Sequence, residues 1–341
     1  MQTRVDSGTR RLAELTTLRL GGPATALVEA ESGEAVVEAV RAADGPVLVL
    51  GGGSNLVISD EGFDGTVVHV ASRGIAFERL ADGRVLLTVE AGEDWDGVVA
   101  ATLAEGLGGL ECLSGIPGRT GATPVQNVGA YGVEISALLV SVDLYDRLTH
   151  EVRTVPAADL GLGYRTSVLK GSDAAVVLRV RFALPGGAAS MPIAYAELAR
   201  TLGVDPGATV PAATAREAVL GLRRGKGMVL DAADHDTWSA GSFFTNPIVD
   251  AAPDPDMPRW PAGDRIKLPA AWLIQHAGFA PGHPGPGGRV ALSSRHVLAL
   301  TNRGGGRTED LLALAREVRD GVRARFGITL EPEPVMVGCA V

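Results

Sequence analysis

The residues best placed to do chemistry lie in two glycine-rich stretches. The longer, SGIPGRTGATPVQNVGAYG at residues 114–132, holds five glycines, two prolines, two threonines, Gln126 and Asn127, with Arg119 as its single charge. Glycine permits positive φ and close backbone approach, while amide and hydroxyl side chains satisfy polar groups that an apolar setting would strand. The stretch therefore reads as backbone wrapped against a bound ligand, with an elaborate structural turn as the alternative. The shorter cluster, Gly51, Gly52, Gly53, Ser54 and Asn55, follows the apolar run 47–50. A strand that empties into consecutive unhindered amides makes a nest for an anionic group such as a pyrophosphate. It is not a Walker loop, since no Lys follows, and it lacks the third glycine of the dinucleotide fingerprint. Alone, it is a weak signal.

Other side chains with chemical capacity are scattered. Arg165 stands between Tyr164 and Thr166, Ser242 follows Gly241, and Glu331 and Glu333 alternate with prolines near the end of the chain. Read singly, they are a surface arginine, a turn serine and an exposed extended segment. Tyr195 reads as helix packing and Lys226 as a solvated charge. The six histidines show no i,i+4 pair and no convergent acid, so no metal site is expected.

What joins these residues is a set of ordered motifs. TLRLGGPA at 17–24, VLGGGSNLVISD at 49–60 and GIPGRTGATPVQNVGAYG at 115–132 are followed by GYRTSVLKG at 163–171, GSFFTNP at 241–247, AWLIQHAGF at 271–279 and LEPEPVMVG at 330–338. In these motifs the chain closely resembles the UDP-N-acetylenolpyruvoylglucosamine reductase family, nearly end to end. The resemblance implies an α+β fold: a two-lobed FAD-binding domain of the PCMH/vanillyl-alcohol-oxidase type, followed by an α+β substrate-binding domain. It also implies non-covalent FAD, held by Gly51, Gly52, Gly53, Ser54 and Asn55 on one side. On the other stand Gly115, Ile116, Pro117, Gly118, Thr120, Gly121 and Ala122, then Gln126, Asn127, Gly129, Ala130 and Tyr131. Neither cluster contains the His or Cys to which many oxidases of this class attach flavin.

The family reduces UDP-N-acetylglucosamine enolpyruvate to UDP-N-acetylmuramate for peptidoglycan, with NADPH as co-substrate. Such a reaction calls for a cation, a polarising acid and a donor hydroxyl. Residue by residue, the resemblance places Arg165 on the enolpyruvyl carboxylate, Ser242 as proton donor and Glu333, rather than Glu331, as the catalytic acid. Tyr164, Tyr195, Lys226 and Asn246 are expected to face the sugar nucleotide, with Tyr195 on a mobile lid over the diphosphate. An FAD-dependent oxidase or dehydrogenase acting on a hydroxy acid or sugar alcohol would share the glycine clusters, without calling for the Ser242 and Glu333 motifs. A flavin or sugar-nucleotide binding protein without turnover is a third reading, which the three catalytic-type side chains disfavour.

The elements that must position these residues are legible in outline. Ser32 caps a helix with Val36, Val37 and Val40 on one face, ended by Asp44-Gly45, and residues 94–106 read as a second helix with an Asp cap. Strands are expected at 47–50, 56–58, 66–70, 85–91, 138–145 and 175–184. Two short helices follow, at 195–201 and 212–223. The run 253–261 has four prolines and is expected to be irregular. Helices close the chain at 269–277 and 308–326, the latter with Thr308 as its cap. The expected division is an FAD-binding domain over 1–184, with lobes 1–72 and 73–184, and a substrate domain over 185–341 after the Pro185-Gly186-Gly187 break, its last strand returning to the FAD lobe.

Composition bounds the rest. With 341 residues, 46% hydrophobic, the chain can fill more than one core. Glycine numbers 45, near 13% against an average of roughly 7%, and much of the excess sits in the two clusters. A net charge of -9, with no basic patch interleaved with aromatics, disfavours a nucleic-acid partner. The one short basic run, residues 223–226, fits a small anion or water. Cys112 and Cys339 lack disulfide or metal spacing and read as inert thiols. Residues 1–6 have no apolar leader and no run approaches a membrane span, so a soluble, cytoplasmic protein is expected; a monomer is the expected state, though nothing in the sequence fixes it.

Overall fold

The computed structural model describes residues 4–6 and 10–341. Residues 1–3, part of the stretch read for a leader, and residues 7–9 lie outside the described residues. The chain weaves between two compact units. Among the described residues, the first comprises 4–6, Thr25–Gly52 and Asp64–Arg224, and the second 10–24, Gly53–Phe63 and Gly225–Val341.

In the first unit the caps read from sequence form. Ser32 accepts the Ala35 N–H at the start of α1 (Gly33–Ala42), and Asp94 accepts the Gly97 N–H at the start of α2 (Trp95–Ala104). Each side chain satisfies one of the amide donors that a helix start leaves without an intrahelical partner. Strands Arg4–Asp6, Ala24–Ala30, Phe63–Val70 and Val47–Leu50 line up in that order in one sheet, with Val47–Leu50 parallel to its neighbour. The second sheet is antiparallel, in the order Val152–Pro156, Leu139–Asp146, Ala175–Leu184, Val85–Glu90 and Ile75–Arg79. One hydrophobic core joins both sheets, α1 and α2, with Trp95 packed 5.8 Å from Phe182. Two further helices, α3 (Ala196–Leu202) and α4 (Ala212–Gly225), add Leu198, Ala199, Ala215 and Val219 to it. Cys112 lies in this core, where burial pushes its thiol up to about 12.

The second unit is organised around α5 (Ala270–His276) and the 19-residue α6 (Thr308–Phe326). Leu311, Leu312, Leu314, Ala315, Val318 and Val322 of α6 are all buried, each large aliphatic side chain contributing about 1.5–3 kcal/mol. Small antiparallel pairs, Val290–Leu292 with Leu300–Asn302 and Arg265–Lys267 with Ile248–Val249 and Trp260–Ala262, surround them. Val335–Val337 pairs in parallel with Leu56–Ile58, the strand just after the short glycine cluster.

Two readings of local structure are corrected. Pro261 is not in an irregular run: it pairs opposite Ile266 in the strand Trp260–Ala262. That strand is the edge of its sheet, where a missing N–H costs nothing. Thr308 is the first residue of α6, not its cap; its hydroxyl donates to Ile58 O at 2.6 Å. The cap is supplied at long range by Asp60, whose carboxylate accepts the Thr308 and Glu309 amides at 2.9 and 3.1 Å. A carboxylate among the first-turn amides also favours the positive end of the helix dipole. Asp60→Ala is therefore expected to lower unfolding stability by about 1–2 kcal/mol in denaturant titration.

Candidate functional site

The long glycine-rich loop is anchored to the first unit through its backbone. Trp95 N–H donates to Gly118 O at 3.1 Å, and the Thr120 and Gly121 amides donate to Glu93 O and Ala91 O, each at 2.9 Å. Asp96 accepts the Gly115 N–H at 2.6 Å and is gripped by both guanidinium nitrogens of Arg216, at 2.6 and 2.8 Å. Burial pushes the Asp96 carboxyl up, but the Arg216 fork and the Gly115 amide outweigh it and hold the group below the usual carboxylate range. The fully buried Glu111 accepts the Gly109 and Met191 amides at 2.6 and 2.7 Å, and its own carbonyl accepts the Ser114 hydroxyl.

The two glycine clusters meet. A Cβ on Gly52 would lie 2.7 Å from Gly118 Cα, and one on Gly51 would touch the Arg119 stem at 3.4 Å. The Arg119 Nε is buried with no hydrogen-bond partner among the described residues. Burial, then Arg73, lowers its pKa against the pull of Asp94, Glu93 and Glu29. Close-packed glycine backbone beside an unsatisfied buried cationic nitrogen fits an anionic group such as the diphosphate portion of FAD. Ile116, Pro117, Gln126 and Ala130 are partly exposed in the same loop, and Thr120–Ala122 forms a short 3-10 turn. Gly53, Ser54 and Asn55 continue the short cluster into the second unit, where the Asn55 carbonyl accepts the Val335 N–H at 2.9 Å.

Arg165 occupies the tip of a tight turn, in which Gly163 and Thr166 exchange backbone hydrogen bonds at 3.1 and 3.3 Å. Its φ is 53°, at a turn position where glycine or asparagine is usual, so the fold stores strain of about 1–3 kcal/mol there. The surroundings over-determine it. Arg165 Nη2 donates to Gly129 O at 2.7 Å, Glu134 stands 3.9 Å from Nη1, and the guanidinium carbon lies 5.3 Å from the Tyr164 ring centre. Asn127, buried and itself at φ 48°, ties the assembly together through Glu134 at 2.8 Å, Gly163 O at 3.1 Å and the Ser136 amide at 3.2 Å. Beside them the Tyr131 ring, also at positive φ, meets the exposed Tyr195 edge-on at 5.4 Å, and burial pushes its phenol up to about 12. Tyr195 precedes α3 directly. Arg223 of α4 is buried near Tyr131 and Asp96; burial lowers its pKa while both neighbours oppose the shift.

The second unit brings Ser242 and Glu333 onto neighbouring segments. Glu333 N–H donates to Phe243 O at 2.8 Å, and Thr245 N–H donates to Glu331 O at 3.0 Å. Phe243 and Phe244 are 1% exposed, so apolar surface flanks the serine. Ser242 Oγ lies 3.4 Å from His296 Nε2. Asn246 caps α5 by accepting the Ala270 N–H at 2.9 Å, and half-buried Lys226 lies just past α4. Behind His296 stands a buried clamp. Asp236 accepts the hydroxyls of Ser293 and Ser294, the Ser294 amide, Arg295 Nε and an Arg303 nitrogen, at 2.7–3.0 Å. Burial pushes its carboxyl up, but these donors outweigh it and hold the group at about 2.

Sequence reasoning missed Glu134, Asp96, Glu111, Asp236 and His296. Each lies outside the ordered motifs, and only tertiary placement reveals its partners. Among the described residues no group of three or more His, Cys, Asp or Glu could hold a metal ion, and no helix is long and apolar enough to cross a membrane.

Comparison with known proteins decides the family. The chain is 66% identical to the UDP-N-acetylenolpyruvoylglucosamine reductase of Saccharopolyspora erythraea, covering 98% of this chain and 96% of that protein. It belongs to the UDP-N-acetylenolpyruvoylglucosamine reductase family. The enzyme of that name from Nocardia farcinica is 60% identical, over 96% of this chain and 88% of its own length. The crystal structure of the Thermus caldophilus reductase matches with a TM-score of 0.68 at 26% identity, covering 99% of each chain. An FAD binding domain matches residues 24–154, and the C-terminal domain of the reductase family matches 233–337.

Two outcomes are expected. Gly52→Ala forces the clusters apart and should weaken FAD binding by about tenfold or more, read by titrating the apoprotein and following flavin fluorescence. Asp236, depressed from 3.8 to about 2, contributes stability above pH about 4 that is lost as pH falls toward 2. Asp236→Asn should flatten the fall of the denaturation midpoint over that window.

Proposed function

We propose that the chain is the NADPH-dependent, FAD-mediated reductase that converts UDP-N-acetylglucosamine enolpyruvate to UDP-N-acetylmuramate, acting as a cytoplasmic monomer in peptidoglycan precursor synthesis. The observation that carries the reading is the backbone pairing of the Ser242 segment with the Glu333 segment, which brings a hydroxyl-bearing and a carboxylate-bearing residue onto adjoining strands of chain next to buried phenylalanines. Bound FAD supplies the hydride chemistry. The chain's own residues then have three tasks. Arg165, stiffened by its turn and by Gly129 O, grips the enolpyruvyl carboxylate and stabilises the charge that develops there. Glu333 polarises the same group. Ser242 delivers one proton to the carbon beside the carboxylate, a role that a hydroxyl can fill only where water is excluded.

Gly51, Gly52, Gly115, Gly118 and their neighbours hold the cofactor, with Arg119 near its diphosphate. Tyr164, Tyr195, Lys226 and Asn246 face the sugar nucleotide, and the exposed Tyr195 ring, hinged before α3, serves as a lid. The Asn246 carbonyl is committed to α5, so its amide nitrogen is the group that would reach substrate.

The test is an anaerobic flavin spectrum. After reduction with NADPH, addition of the enolpyruvyl sugar nucleotide should restore the oxidised band at once and yield UDP-N-acetylmuramate. Flavin that stays reduced until air is admitted would instead favour an oxidase. Arg165→Gly relieves the positive φ, so its stability should stay within about 1 kcal/mol of the parent. Its rate of flavin reoxidation by substrate should fall about 100-fold or more, and an unimpaired rate would remove Arg165 from the reaction.

A further inference from the structure

Ser242 has a neighbour whose position is set by backbone as well as by side chain. Phe243 N–H donates to Leu298 O at 2.7 Å, and Ala299 N–H donates to His296 O at 2.9 Å, so the histidine and the serine belong to hydrogen-bonded segments. Ser293 Oγ accepts the His296 N–H at 3.2 Å and donates its own hydrogen to Asp236 at 2.9 Å. The Asp236 clamp thus fixes the turn that carries His296, while the Glu333 segment pins the other side of Phe243. The result is the 3.4 Å approach of His296 Nε2 to Ser242 Oγ.

The chemistry of a serine proton donor needs such a neighbour. Giving up its proton leaves Ser242 as an alkoxide, a strong base beside the buried Phe243 and Phe244, whose apolar side chains cannot solvate it. Before transfer the hydroxyl must be held in line, and afterwards it must regain a proton.

Resting on the reading of Ser242 as proton donor, we infer that His296 is the positioning residue of Ser242 and the source of its replacement proton. His296 Nε2–H donates to Ser242 Oγ and turns the hydroxyl hydrogen away from the ring, toward substrate. In the step, the Ser242 O–H bond breaks as a C–H bond forms on the substrate, and the negative charge passes from the enolate to Oγ. The His296 imidazolium gives its Nε2 proton to Oγ, leaving serine and ring both neutral. Solvent reprotonates the ring, which is partly exposed. No oxidant or reductant is consumed.

The experiment compares His296→Gln, His296→Leu and Ser242→Ala as FAD holoenzymes in anaerobic stopped flow. Flavin reduction by NADPH is expected at the parental rate in all three. Reoxidation by the enolpyruvyl sugar nucleotide should slow about 100-fold in His296→Leu, the low end for a positioned proton transfer, and about tenfold in His296→Gln, whose amide can hold the hydroxyl but cannot return a proton. The solvent deuterium isotope effect on reoxidation should rise in both. Reoxidation within twofold of the parent in both histidine variants, with Ser242→Ala slow, overturns the assignment. Equal slowing of both half-reactions also overturns it, since that marks a structural role. Normal reoxidation in Ser242→Ala instead sinks the underlying reading of the serine, and this inference with it. If His296→Leu fails to fold, the glutamine variant decides.

Discussion

The first unit depends on two stretches of backbone passing closer than side chains allow. Gly52 lies against Gly118 so tightly that a single methyl group on the former would collide with main chain. From that approach the rest follows. The long loop can run beside the start of α2 only because its amides and carbonyls find partners in Ala91, Glu93 and Trp95, and because Asp96 holds Gly115. A buried backbone without such partners would cost more than the packing returns. Glycine here makes the close approach possible; hydrogen bonding makes it rigid.

Rigidity also explains the strained residues. Asn127, Tyr131 and Arg165 all adopt positive φ without being glycine. Their locations coincide with the loop and the turn that carry the expected cofactor and catalytic groups. Asn127 is held by Glu134 and Gly163 O, and Arg165 by Gly129 O, through directed hydrogen bonds, while the Tyr131 ring packs edge-on against Tyr195. An arginine so held loses little further freedom on meeting a carboxylate, so more of its interaction energy is available to the reacting group.

Local sequence made some of this legible and hid the rest for physical reasons. Ser32 and Asp94 announce their helices because capping is a contact within one turn. The amphipathic face of α6 announces itself through its spacing. Thr308 misleads as a cap because its competitor, Asp60, is some 250 residues away, and a remote carboxylate leaves no local mark. Pro261 misleads because proline forbids a central strand but not an edge. The glycine clusters, Arg165, Ser242 and Glu333 stand out only as whole motifs, whereas Asp96, Glu134, Asp236 and His296 become visible only once the chain is folded around them.

The weave of the chain also bears on how the protein is made. Val335–Val337 takes as its partner Leu56–Ile58, laid down about 280 residues earlier. Asp60, capping α6 from the same early stretch, waits almost as long. On a ribosome the second unit therefore cannot complete its packing until residues 335–337 have emerged. Until then Val57 and Ile58, fully buried in the finished protein, remain without their final partner strand. Late closure of this kind leaves apolar strand edges open to other chains in the interval, a hazard that the stability of the finished fold does not remove.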